Sequence, residues 1–151
     1  MLTQAYAHGG GTLLVDGLSG MGKTHFLRTL AIEAERHDRW PVTFVNADLL
    51  EMGEPYGFIE RFLAAGVAPD WNFIPDSQLQ PIAVARECVS RLLCTTRDAD
   101  EGRIIIVDDA QWIDPESIQV LRHMIPRFNR RNVFIVCGAR TPHKHGSLGE
   151  Y

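Results

Sequence analysis

The sequence predicts an α/β fold, a parallel sheet between two layers of helices. Three observations predict it. Short apolar runs alternate along the chain with longer stretches of helical periodicity. The runs are continuously apolar rather than alternating, which is the pattern of strands covered on both faces. Three of the four deliver polar residues at their ends, Asp16-Gly17, Asp108-Asp109 and Arg140. In such sheets the carboxyl ends of the strands are where ligands sit.

The elements follow in order. Thr12-Leu-Leu-Val15 reads as the first buried strand, stopped by Asp16-Gly17. From Lys23 to His37 the apolar residues Phe26, Leu27, Leu30, Ala31 and Ala34 keep the rhythm of an amphipathic helix. Val42-Thr-Phe-Val45 is the second strand, opened by Pro41 where a missing N–H does little harm. A shorter helix is expected over Tyr56 to Ala65, with Gly66 as its stop. Residues 67–78 carry two prolines and Trp71 and read as irregular. A helix over Ile82 to Thr96 follows, with Ile82, Ala85, Val89, Leu92 and Leu93 on one face; Pro81 falls in its first turn. Arg103-Ile-Ile-Ile-Val107 is the clearest strand. Asp114-Pro115 then opens a helix, Asp as N-cap and Pro at the first helical position. Pro126 should end or kink that helix. Val133-Phe-Ile-Val136 is the fourth strand, and from Arg140 onward no periodicity remains. The expected organisation is a core over residues 1–141 and a flexible tail over 142–151.

Composition narrows the class. The chain has 151 residues, 45% hydrophobic and 23% charged, enough for one buried core. Fifteen basic against 19 acidic residues give a net charge of −4 and a pI near 5.8, so direct nucleic-acid binding by this segment is not expected. No apolar run approaches the ~20 residues of a membrane span, and residues 1–11 lack the pattern of a signal peptide. Three cysteines, Cys88, Cys94 and Cys137, lack metal-site spacing and fit a reduced protein. The expected location is cytoplasmic. Only Lys23 and Lys144 among the basic residues are lysines. A genome bias toward Arg would explain that. Lys23 then stands out, because it lies in a Gly-rich loop where a compact point charge suits phosphate better than a planar fork.

The segment Gly17-Leu18-Ser19-Gly20-Met21-Gly22-Lys23-Thr24 matches the phosphate-binding pattern GxxxxGK[ST] in full. Its first and last glycines, Gly17 and Gly22, are expected to let the backbone turn tightly, so that successive N–H groups point at a polyphosphate. The following helix aims its positive end at the same anion. Lys23 would bridge the outer phosphates and the Thr24 hydroxyl would hold Mg²⁺. With this composition the pattern arises by accident in about one sequence per thousand. At the end of the third strand, Asp108 is placed to order the waters of Mg²⁺ beside Thr24. Asp109, one residue on, is placed to orient a water for attack on the terminal phosphate.

The stretch Val107-Asp108-Asp109-Ala110-Gln111-Trp112-Ile113-Asp114-Pro115-Glu116-Ser117, taken with the loop, resembles the ATPase domain of the STAND class. That class lies within the AAA-type, additional-strand P-loop group, and the likeness is greatest to the large LuxR-type bacterial transcriptional regulators. There the stretch typically reads D-D-x-(H/Q)-W-x-D-x-x-S. Pro55-Tyr56-Gly57 also resembles that family's spacer after the second strand. The resemblance covers Thr12 to Arg140. It implies nucleotide contacts for Gly17, Gly20, Gly22, Lys23 and Thr24, and magnesium and water for Asp108 and Asp109. It implies for Arg140 the role of a sensor arginine reporting the terminal phosphate, a surface charge or salt bridge being the alternative. Trp112 and Asp114 are typical of the family, though a packing aromatic and a helix cap account for them. The family's usual segment ahead of the first strand, its fifth strand and its helical lid have no counterpart here. The resemblance therefore implies a partial core, incomplete on its C-terminal side, working with other domains of a longer regulator or with a partner protein.

The function expected on these grounds is Mg-ATP binding and slow hydrolysis to ADP and phosphate by a nucleotide switch. Asp109 is one methylene shorter than the Glu of fast AAA-type engines, which would slow the chemistry. No Asn-Lys-x-Asp tetrapeptide occurs, favouring ATP over GTP. The alternatives are a small P-loop kinase acting on a metabolite, an origin-recognition-type DNA-loading ATPase, and a degenerate non-catalytic nucleotide-binding scaffold.

Overall fold

The computed structural model describes residues 9–37, 40–67, 70, 72–73, 78–94, 102–128 and 130–140. Four strands, β1 (Gly11–Gly17), β2 (Val42–Asn46), β3 (Arg103–Asp108) and β4 (Val133–Arg140), form one sheet in the order β1-β4-β3-β2. Every pairing is parallel. The strand carrying the acidic pair is thus separated from the strand feeding the Gly-rich loop by β4, the additional-strand arrangement. The register brings the functional ends together: Gly17 pairs with Arg140 and Asn46 with Asp108.

Helix α1 (Lys23–His37) covers one face. The other face is covered by α2 (Gly57–Phe62), α3 (Pro81–Cys94) and α4 (Pro115–Phe128). Strand β3 shows why its run is continuously apolar: Ile104 and Ile106 pack with Leu27 and Ala34 of α1, while Ile105 and Val107 join the larger core with Phe58, Leu92 and Met124. All six residues of β3 are buried. Strand β1 differs. Among the described residues it pairs on one side only, with β4; Leu13 and Leu14 are 51% and 41% exposed.

The expected helices form with adjusted ends. The second is short, because after Phe62 the chain takes one wider turn over Leu63–Val67, and Gly66 leaves helical geometry at φ 108°. The third begins one residue early, with Pro81 itself at the first position, where its absent N–H has no partner to lose. Pro126 does not end α4, which runs on to Phe128. The fourth strand reaches Arg140, beyond the expected Val136, since parallel pairing with β1 continues to Gly17. Two 3₁₀ turns that periodicity does not reveal, Leu49–Glu51 and Ala110–Trp112, follow β2 and β3. Trp71 and the 142–151 tail, including His143, Lys144 and His145, lie outside the described residues. Among the described residues no helix is long and apolar enough to cross a membrane.

Candidate functional site

The site lies at the carboxyl ends of β1, β3 and β4. The loop leaves β1 at Gly17 and enters α1 at Lys23. Gly20 and Gly22 both hold φ +81°, and a Cβ at either would meet nothing within 4 Å. Backbone conformation, then, selects glycine there, not crowding. The loop is open to solvent, with Leu18 62% and Met21 73% exposed. Lys23 folds back over it: Nζ donates to the carbonyls of Gly17 and Leu18, both at 2.7 Å. Thr24 is exposed at the start of α1.

Asp108 is buried, 3% exposed, at the end of an entirely buried strand. Its Oδ1 accepts from the Asp109 N–H at 2.9 Å. Room for it comes from Gly138 on β4. A Cβ there would lie 2.6 Å from Leu27 Cδ1 of α1 and 3.1 Å from Asp108 Oδ1. Asp108 therefore looks toward the α1 layer, the side on which the Gly-rich loop enters its helix.

At Asp109 the chain turns sharply, with φ 53° and ψ 38°, a left-handed conformation uncommon outside glycine. Its carboxylate is held in place. Gln111 Nε2 donates to Asp109 Oδ1 at 2.9 Å, and Arg140 Nε lies 3.3 Å from the same oxygen. The Arg140 N–H in turn donates to Gln111 Oε1 at 3.0 Å. The structure thus joins Asp109 to Arg140, which sequence reasoning had placed at separate points of the site. Arg140 makes the salt bridge that was one of its two expected readings.

Asp114 does more than cap its own helix. Oδ1 accepts from the Ser117 N–H at 2.8 Å, as an N-cap should, and from the Tyr56 N–H at 3.0 Å; Oδ2 accepts from the Phe58 N–H at 3.1 Å. Ser117 Oγ accepts from the Ile59 N–H at 3.1 Å. The Pro55-Tyr56-Gly57 spacer and the acidic stretch are therefore one buried unit. Gln111 and Gly138 are the participants that sequence reasoning missed. Gln111 had one signal, its place inside the quoted stretch; Gly138 had none, because only the approach of α1 makes a side chain impossible there.

A parallel sheet of this order with a GxxxxGK[ST] loop after β1 and an acidic pair after β3 defines an additional-strand P-loop nucleotide-binding fold. Residues 1–136 match the family described as AAA ATPase domain, and the chain belongs to that family. Among solved structures it is similar to one from Drosophila, "Structure of Drosophila ORC bound to DNA", with TM-score 0.61 and 20% identity over 87% of this chain and 32% of that one. It also matches "Structure of C. elegans PCH-2", with TM-score 0.49 and 15% identity over 88% of this chain and 32% of that one. The chain thus spans about a third of the length of each, and the first likeness shows the fold. No curated protein matches.

The donor set suits the nucleotide that the family implies. An open loop in the required glycine conformation, a lysine, an exposed hydroxyl and a buried carboxylate are the hard oxygen and cationic groups that a magnesium polyphosphate takes. Burial pushes the thiols of Cys88 and Cys137 up to about 12, so neither is a nucleophile for this site.

Proposed function

We propose that the chain is a switch domain of a signalling or transcription regulator, binding Mg-ATP and hydrolysing it slowly. One observation carries the reading. Both cations assigned to the phosphates are held by the protein's own oxygens, Lys23 by the Gly17 and Leu18 carbonyls and Arg140 by Asp109. Each must exchange an internal partner for a phosphate oxygen, so nucleotide binding changes what the ends of β1 and β4 hold. A difference in contacts between two states is what a switch requires.

The loop N–H groups and Lys23 take the phosphates, with Lys23 leaving its two carbonyls. Thr24 and Asp108 would hold the metal, which would supply positive charge against the charge developing on the phosphate. Asp109 aligns the attacking water and accepts its proton. Arg140 moves from Asp109 toward the terminal phosphate. The short Asp109 side chain supports slow turnover, as a timer needs. The net charge of −4 favours this reading over a DNA-loading ATPase.

The test compares neighbours. Asp108→Asn should remove much of the magnesium dependence of ATP binding, measured by isothermal titration with and without Mg²⁺. Asp109→Asn should leave binding within about threefold and lower single-turnover hydrolysis by roughly 10² or more. Parent-rate hydrolysis by Asp109→Asn would make Asp109 structural. Retarded mobility of duplex DNA at physiological salt would move the assignment to the DNA-loading alternative.

A further inference from the structure

Gln111 lies on the Ala110–Trp112 turn, between the acidic pair and the buried Asp114 unit. Its carboxamide is used in both senses: Nε2 donates to Asp109 Oδ1 and Oε1 accepts from the Arg140 N–H. With Arg140 Nε beside the same Oδ1, three residues close a ring across the ends of β3 and β4. The ring has a chemical requirement. A carboxylate at 111 would repel Asp109, and an ammonium would leave the Arg140 N–H without its acceptor. Only a neutral side chain with one donor and one acceptor completes it.

The ring also differentiates the two oxygens of Asp109. Oδ1 receives both Gln111 and Arg140, whereas among the described residues nothing engages Oδ2. A half-turn of the carboxylate about Cβ–Cγ would interchange their surroundings, and among the described residues the contacts of Gln111 and Arg140 are the side-chain contacts that oppose it. When Arg140 leaves for a phosphate, the Gln111 amide is the contact that stays.

We infer that Gln111 is the positioning residue for Asp109: it holds Oδ1 so that Oδ2 is the oxygen presented to the attacking water. Because Gln111 also holds the Arg140 backbone, it ties the orientation of Asp109 to the place of the β4 end. The inference rests on the reading of Asp109 given above.

Two variants separate hydrogen bonding from packing. Gln111→Met keeps the length and loses both hydrogen bonds; Gln111→Glu keeps the shape and the acceptor and loses the donor. Both should lower single-turnover ATP hydrolysis by about tenfold or more, with Mg-ATP affinity within about threefold and an unchanged unfolding midpoint. A residue that only packs would move affinity or midpoint along with the rate. The nucleotide-free protein supplies a second readout. In ¹H–¹⁵N spectra the Gln111 side-chain amide should exchange slowly with solvent, and Asp109→Asn should shift it. Parent-rate hydrolysis by Gln111→Met while Asp109→Asn is inactive would overturn the inference alone, as would a fast-exchanging amide. Parent-rate hydrolysis by Asp109→Asn would overturn the catalytic reading, and this inference with it.

Discussion

Asp109 and Asp114 stand five residues apart in one acidic stretch, and the fold treats them oppositely. Asp114 is 1% exposed and accepts three backbone N–H bonds from two helix starts. Asp109 has a side chain 32% exposed, holds a left-handed backbone and is held by two side chains. The partners of Asp114 are main-chain groups fixed by α2 and α4. Those of Asp109 are the side chains of Gln111 and Arg140, part-buried and partly exposed. The same contrast separates β3, buried along its whole length, from β1, whose Leu13 and Leu14 face solvent.

The largest expected effect comes from erasing the fixed partner. Asp114→Ala strands the N–H groups of Tyr56, Phe58 and Ser117 in a buried place, and should cost roughly 3–5 kcal/mol in urea unfolding. Asp109→Ala should cost less than about 1 kcal/mol in the same assay, because it breaks a half-exposed pair. Equal costs would erase the distinction between the two aspartates.

Gly138→Ala tests the space that gives Asp108 its place. The added Cβ, 2.6 Å from Leu27 Cδ1 and 3.1 Å from Asp108 Oδ1, should cost about 1–3 kcal/mol and weaken the magnesium dependence of ATP binding. Unchanged magnesium dependence would detach Gly138 from the site.

A test through pH sharpens the rigid side of the comparison. Cys88 and Cys137 lie in the larger core, and burial raises both from the ordinary 9.0 to about 12. At pH 8 mass spectrometry should find both unalkylated in the folded chain. Asp114→Ala should speed their labelling, and Asp109→Ala should not. Between pH 9 and 12 the unfolded chain releases these thiol protons while the folded chain keeps them. The unfolded state then binds fewer protons, so stability falls as pH rises, by about 1.4 kcal/mol per unit and per thiol. Stability flat or rising across that window would refute the burial of these thiols.

The sequence by itself determined where the strands and main helices fall and which residues are candidates for the site. Continuous apolar runs mark the strands, but the burial on both faces expected of them holds for β3 and not for β1, whose Leu13 and Leu14 are exposed. Lys23–His37 keeps its predicted bounds as α1 because its apolar stripe is local information. The Gly-rich loop was legible in part for the same reason: Gly22 is needed for its own φ as expected, while Gly20 and not Gly17 is the loop's second glycine at positive φ. Tertiary structure decided what depends on distant approach. Periodicity could not show that Asp114 would serve Tyr56 and Phe58, because those N–H groups lie 58 and 56 residues away. Nor could it show that Gln111 would meet Arg140, 29 residues on. Those contacts exist because β4 lies beside β3 and ends level with Gly17 of β1. Strand order and register are settled by how whole faces pack, and a local pattern of residues does not contain them.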